Sequence, residues 1–121
     1  MYKILVCGSR GFNDYKLLSS ALDSINTTNH IDVIVEGGAR GADTLAKEYA
    51  QERGIEVWEY GADWDRHGKG AGYIRNYEML DTKPAIVVAF YSGTHTKGTS
   101  HMVGASKQAG IPVLEFGLED E

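Results

Sequence analysis

The sequence predicts an α/β protein: a single-domain three-layer sandwich of about five parallel strands with helices on both faces. Three observations carry that expectation. Short apolar runs alternate along the whole chain with longer runs whose apolar residues recur at helical spacing. Fifteen glycines, about twice the usual share, gather mostly in the turns that follow the strand-like runs. The 121 residues suffice for one core and are too few for a second lobe. Strands that alternate with helices in this way lie parallel and are joined by right-handed crossovers, so the fold expected over residues 1–117 is Rossmann-like. Residues 118–121 read as an acidic tail.

Residues 2–7 are a buried strand, because an apolar run ending in Gly8-Ser9-Arg10-Gly11 is too short for a helix. Asn13 or Asp14 then caps a helix marked by Leu17, Leu18, Ala21, Leu22 and Ile25. Residues 31–35 form the second strand. A glycine stretch, Glu36-Gly37-Gly38-Ala39-Arg40-Gly41, leads into a helix carried by Ala42, Leu45, Ala46, Tyr49 and Ala50 that stops near Gly54. Residues 55–60 alternate apolar and acidic, which suggests a strand with one wetter face near a sheet edge. Residues 61–70 are too polar and glycine-rich for a regular element and read as a long loop. A helix over 71–80, an apolar strand over 85–90 and a polar loop over 91–97 follow. Gly98-Thr99 opens the last helix, and residues 111–116 supply the last strand.

The formal net charge of −5 argues against a protein that holds duplex nucleic acid by its overall field, while leaving room for a local basic pocket. One cysteine, Cys7, excludes an internal disulfide and fits a reducing cytoplasm. No apolar run approaches the roughly 20 residues that span a bilayer, and Met1 leads straight into a strand rather than a signal peptide, so a cytoplasmic protein without membrane contact is expected. His30, His67, His95 and His101 lack the spacing of a zinc site, and neither a metal nor a cofactor is expected.

In an open parallel sheet, ligands bind beyond the carboxyl ends of the strands, where strand order reverses. That rule brings together four loops: 8–11, 36–41, 63–69 and 91–99. The 36–41 turn would present unpaired helix-terminal amides to an anion, with glycines allowing close approach. A plain strand-to-helix turn is the alternative. Neither GxGxxG nor the GK[ST] loop is present, so ordinary dinucleotide or nucleoside-triphosphate binding gains no support. Arg10, Arg40, Lys69, Arg75 and Lys97 lie on or beside these loops, and a guanidinium fork suits phosphate. Trp64 and Tyr91 could stack on a base, whereas Tyr73 and Tyr77 read as core. Cys7 reads as a small buried filler.

These residues carry a resemblance. Gly8-Ser9-Arg10 followed by Gly37-Gly38-Ala39-Arg40-Gly41-Ala42-Asp43 is similar to the paired GSR and GGARGxD stretches of the SLOG superfamily, which unites DNA-processing Smf proteins with the Lonely Guy (LOG) enzymes. Ala71-Gly72-Tyr73-Ile74-Arg75-Asn76-Tyr77-Glu78-Met79 resembles the AGxxRNxxM segment of the small YspA-like branch, and Lys97-Gly98-Thr99 resembles the turn that opens its last helix. The resemblance implies a Rossmann-like domain for a nucleotide or nucleotide-derived ligand, with phosphate or ribose held at the Gly37 to Gly41 and Gly98-Thr99 turns. The ligand-binding set it suggests is Gly8, Ser9, Arg10, Gly37, Gly38, Arg40, Gly41 and Asp43 with Arg75, Asn76, Lys97, Gly98 and Thr99, to which the stacking argument adds Trp64.

Arg75 matches the arginine with which LOG phosphoribohydrolases cleave an N-glycosidic bond, but Met102 stands where those enzymes carry glutamate. Tyr91-Ser92-Gly93-Thr94 likewise replaces their Pro-Gly-Gly arrangement. A binding module that senses, carries or sequesters such a ligand is therefore the first expectation. The second is a hydrolase using Arg75 with another carboxylate, Glu36, Asp43 or Glu78. Single-stranded DNA binding of the Smf type is the third and rests on Arg10 and Arg40. A homodimer is expected by analogy alone.

Overall fold

The computed structural model describes residues 1–93 and 97–117. The acidic tail, Thr94 and His95 lie outside the described residues. Strands β1 (Lys3–Gly8), β2 (Val33–Glu36), β3 (Glu56–Glu59), β4 (Ile86–Phe90) and β5 (Val113–Phe116) form one sheet in the order β3-β2-β1-β4-β5. Every neighbouring pair is parallel. The chain steps outward from β1 to β3, crosses back to β4 beside β1, and steps outward again to β5. Strand order thus reverses between β1 and β4, the place where such sheets take ligands.

Alternation along each strand builds two apolar layers. Ile4, Val6 and Ile34 point to one face and pack under Leu18 and Leu22 of α1 (Tyr15–Thr28) and Ala46 and Tyr49 of α2 (Ala42–Arg53). Leu5, Cys7 and Val35 point to the other and pack under Met79 of α4 (Ala71–Leu80) and Met102 and Val103 of α5 (Lys97–Gln108). The Rossmann-like layering expected from sequence is present. Asp14, not Asn13, caps α1, its carboxylate accepting from the Leu17 amide at 3.0 Å. Gly54 closes α2 in the left-handed region at φ 68°.

Two local expectations are corrected. Residues 61–70 are not an irregular loop throughout: Asp63 caps a one-turn helix, α3 (Trp64–His67), by accepting from the Arg66 amide at 3.1 Å, and a 3-10 turn (Gly68–Gly70) joins it to α4. Acidic and glycine-rich composition hid a cap followed by one turn. Strand β3 does lie at a sheet edge, but it has no single wet face. Val57 packs against the first apolar layer and Trp58 against the second, while Glu56 and Glu59 at the strand ends stay exposed.

The switch point is close-packed. A Cβ on Gly8 would overlap the Phe90 carbonyl oxygen and the Ala42 side chain, and one on Gly41, at φ 78°, would overlap the Ser9 carbonyl oxygen. Ser9 ties the neighbouring segments together, its amide donating to Phe90 O at 2.9 Å and its buried hydroxyl accepting from the Ser92 amide at 3.0 Å. Gly8→Ala therefore lowers unfolding free energy by about 2 kcal/mol or more. Gly104→Ala, on the exposed side of α5 with nothing within 4 Å of the added Cβ, raises it by about 0.5–1 kcal/mol through helix propensity. Urea denaturation of the two variants checks both signs.

Candidate functional site

A cavity of about 1070 Å³ opens at the carboxyl edge of the sheet, over the reversal between β1 and β4. Gly8 and Arg10 reach it from the first loop, Gly37, Gly38 and Arg40 from the second, and Asp43 from the first turn of α2. Trp64 and Lys69 border it from the α3 segment, Arg75 and Asn76 from α4, and Lys97, Gly98 and Thr99 from the start of α5. Of the ligand-binding set suggested by sequence, Ser9 and Gly41 do not line it. Both serve the packing of the switch point instead. Arg10, Arg40, Lys69, Arg75 and Lys97 bring five of the chain's twelve Lys and Arg residues to this one cavity.

The β2–α2 turn is built differently from an open anion nest. Asp43, in the first turn of α2 and only 7% exposed, folds back so that Oδ2 accepts from the amides of Gly37 at 3.1 Å and Ala39 at 3.2 Å. Glu36 Oε1 accepts from the amide between them, that of Gly38, at 2.5 Å. Three consecutive amides that could have cradled a phosphate are thus satisfied by carboxylates of the same chain. Burial raises the Asp43 pKa to about 6, against the lowering by its amide bonds and by the Arg75 charge.

Glu36 does not reach the cavity. It is fully buried at the end of β2, directly beside its register partner Glu59 on β3. Burial first, then the hydrogen bond to Glu59, raises its pKa to about 8, so Glu36 holds a proton at neutral pH. Glu59 shifts the opposite way: the Glu36 hydrogen bond and the Lys47 ammonium, 3.2 Å away, keep it ionised. Oε2 of Glu36 is the one sealed side-chain polar atom without a hydrogen bond among the described residues. A proton on it, donated to Glu59, resolves that orphan.

Arg75 and Asn76 connect the two glycine turns. Arg75 Nη1 donates to Gly37 O at 2.5 Å, and its Nε donates to Asn76 Oδ1 at 3.2 Å. Asn76 Nδ2 in turn donates to Gly98 O at 3.2 Å and faces His101 Nδ1 at 3.0 Å. Desolvation lowers the His101 pKa, in keeping with a neutral ring that accepts at Nδ1 and carries its proton on Nε2. The Arg75–Asn76 pair therefore fixes how far the start of α5 stands from the β2–α2 turn.

Met102 is completely buried in the second apolar layer, and Glu78 lies exposed on α4 away from the cavity. Asp43 is the single carboxylate among the cavity-lining residues described. Tyr91 does not line the cavity; its hydroxyl donates to Glu115 at 2.8 Å. Tyr73, read as core from sequence, does line it, with its ring stacked on His101 at 4.2 Å between centroids. Helical periodicity could not separate that edge position from the core. Cys7 borders the cavity as a thiol whose pKa is pushed up by burial, which keeps it neutral. Among the described residues no cluster of three or more His, Cys, Asp or Glu could hold a metal ion, and no helix is long and apolar enough to cross a membrane.

Fold and site together define a Rossmann-like domain with a cation-rich cavity at its topological switch point. Residues 2–67 match the model of the YspA, cpYpsA-related SLOG family. The chain is also 38% identical over 123 residues to the "Gene 61 protein" of Mycobacterium phage D29, with 97% of this chain and 98% of that protein covered. The chain belongs to the YspA, cpYpsA-related SLOG family, a membership that suggests a nucleotide-related function.

The Glu36–Glu59 pair has a pH signature. A carboxyl whose folded-state pKa stands above its ordinary value binds its proton more tightly when folded, so stability is full below pH 4.5 and falls as pH rises through about 8. Glu36→Gln supplies an amide that donates to Glu59 and an oxygen that accepts from Gly38 at any pH. The variant matches the parent near pH 5 and exceeds it by on the order of 2 kcal/mol at pH 9. Denaturant titrations across that range measure the difference.

Proposed function

We propose that this protein binds a nucleotide or nucleotide-derived ligand in the switch-point cavity, and that it senses, carries or sequesters that ligand. The observation that carries the reading is the gathering of five cations around one cavity in a chain of net charge −5. Such a concentration of charge against the sign of the whole molecule attracts a compact anion. The phosphate belongs at the start of α5, where helix geometry leaves the first amides without intrahelical acceptors and Lys97 stands beside them. It does not belong on the amides of residues 37–39, which Asp43 and Glu36 already occupy. Trp64, 59% exposed yet bordering the cavity, offers an aromatic plane for a base.

Thermal unfolding in the presence of adenosine, adenosine monophosphate, adenosine diphosphate and ribose 5-phosphate tests this reading. Phosphorylated compounds raise the melting temperature and adenosine does so far less. Arg40→Ala and Lys97→Ala, both exposed side chains, weaken phosphate-bearing ligands by roughly three- to tenfold without changing the melting temperature of the free protein. If no phosphorylated compound shifts the transition at millimolar concentration, the reading is wrong.

One observation favours a second reading, hydrolysis of an N-glycosidic bond. Arg75 and the Asp43 carboxylate share the cavity, so an acid and a cation are both present where the buried Met102 supplies neither. Nucleoside monophosphates incubated with the protein then release free base, and Asp43→Asn abolishes the release. Absence of any free base leaves binding alone.

A further inference from the structure

The Asp43 carboxylate has two oxygens with separate fates. Oδ2 is committed to the amides of Gly37 and Ala39. Oδ1 accepts no hydrogen bond among the described residues. It is not sealed either, since Glu36 Oε2 is the one buried and unpartnered side-chain oxygen described. Asp43 is 93% withdrawn from solvent and borders the cavity, so what remains accessible of this carboxylate opens onto the ligand space. An anionic acceptor there disfavours a phosphate beside it and is satisfied by a group that donates hydrogen bonds. Placed in the first turn of α2 against the β2–α2 turn, it lies across the Arg75–Asn76 bridge from Lys97 at the start of α5. That separation suits a ligand with a phosphate at one end and hydroxyls a short distance away.

We propose that Asp43 is a specificity-determining residue that accepts hydrogen bonds through Oδ1 from ribose hydroxyls, so that the cavity selects ribonucleotide-type ligands over their 2′-deoxy counterparts. This rests on the nucleotide-binding reading and names the sugar it takes. The amides held by Oδ2 make the role selective in a second way. They fix the carboxylate orientation, so Oδ1 cannot rotate away to accommodate a ligand that brings no donor. A base amino group is the other donor a nucleotide can bring, and the probes are chosen to separate the two.

Calorimetric titrations with ribose 5-phosphate and 2-deoxyribose 5-phosphate measure the sugar preference without a base. Titrations with adenosine and inosine monophosphates ask about the 6-amino group. The expected result is at least about tenfold weaker binding of the 2-deoxy sugar, the size of a lost charge-assisted hydrogen bond, with the two monophosphates binding alike. In Asp43→Asn, the oxygen stays on the two amides and the amide nitrogen takes the place of Oδ1, turning acceptor into donor, and the sugar preference falls to about threefold or less. Because the parent protein alone reports the preference, a poorly folding variant does not remove the test. Equal binding of the two sugar phosphates overturns the proposal while leaving the nucleotide reading intact. Loss of binding on going from adenosine to inosine monophosphate, with no sugar preference, assigns Oδ1 to the base and also overturns it. Failure of every phosphorylated probe to bind removes the nucleotide reading itself, and this proposal with it.

Discussion

Three consecutive amides, at Gly37, Gly38 and Ala39, donate to two carboxylates of their own chain, and the character of the cavity depends on that fact. A glycine turn leading into a helix ordinarily offers its amides to an external anion. Here the Asp43 carboxylate and the protonated Glu36 carboxyl supply the acceptors from within. The turn is held in one shape by internal hydrogen bonds, and its amides are already taken where it borders the cavity. Both carboxyls are buried, and desolvation moves both pKa values upward. Glu36 meets that cost by keeping a proton shared with Glu59. Asp43 meets it with two amides and the neighbouring Arg75 guanidinium.

On the proposed reading the cavity is divided: Lys97 and the start of α5 take the phosphate, and Asp43 accepts from donors at the β2–α2 side. Arg75 and Asn76 span the two, binding Gly37 O on one side and Gly98 O on the other. A ligand that engages both turns is therefore measured against a separation set by two adjacent residues of α4. The packing of Gly8 against Phe90 and Ala42, and of Gly41 against Ser9, holds the strand ends rigid beneath that arrangement.

Much of this was legible in the sequence. The alternation of Ile4, Leu5, Val6 and Cys7 between two layers, the spacing of Leu18 and Leu22, and the edge position of β3 follow from periodicity and local polarity. The rule that ligands gather at the carboxyl edge points to the loops that border the cavity, and Arg75, Asn76 and Thr99 lie on its wall. What sequence could not provide were contacts between residues far apart in the chain or facing unexpected directions. Glu36 looked like a turn carboxylate until β3 placed Glu59 beside it. Asp43 read as a ligand contact or an alternative catalytic carboxylate, yet its side chain turns back across the turn it follows. Tyr73 was indistinguishable from a core aromatic because α4 carries it at the cavity rim. Asp63 and α3 were obscured because one helical turn is too short to show a period.

Amide chemical shifts at the two turns test the central claim most directly. When ribose 5-phosphate is titrated into ¹⁵N-labelled protein, the account predicts the largest shifts at Gly98 and Thr99, with the amides of Gly37, Gly38 and Ala39 shifting little because Asp43 and Glu36 keep them. Largest shifts at residues 37–39, with those at Gly98 and Thr99 unmoved, would mean that the phosphate displaces the internal carboxylates and would contradict it.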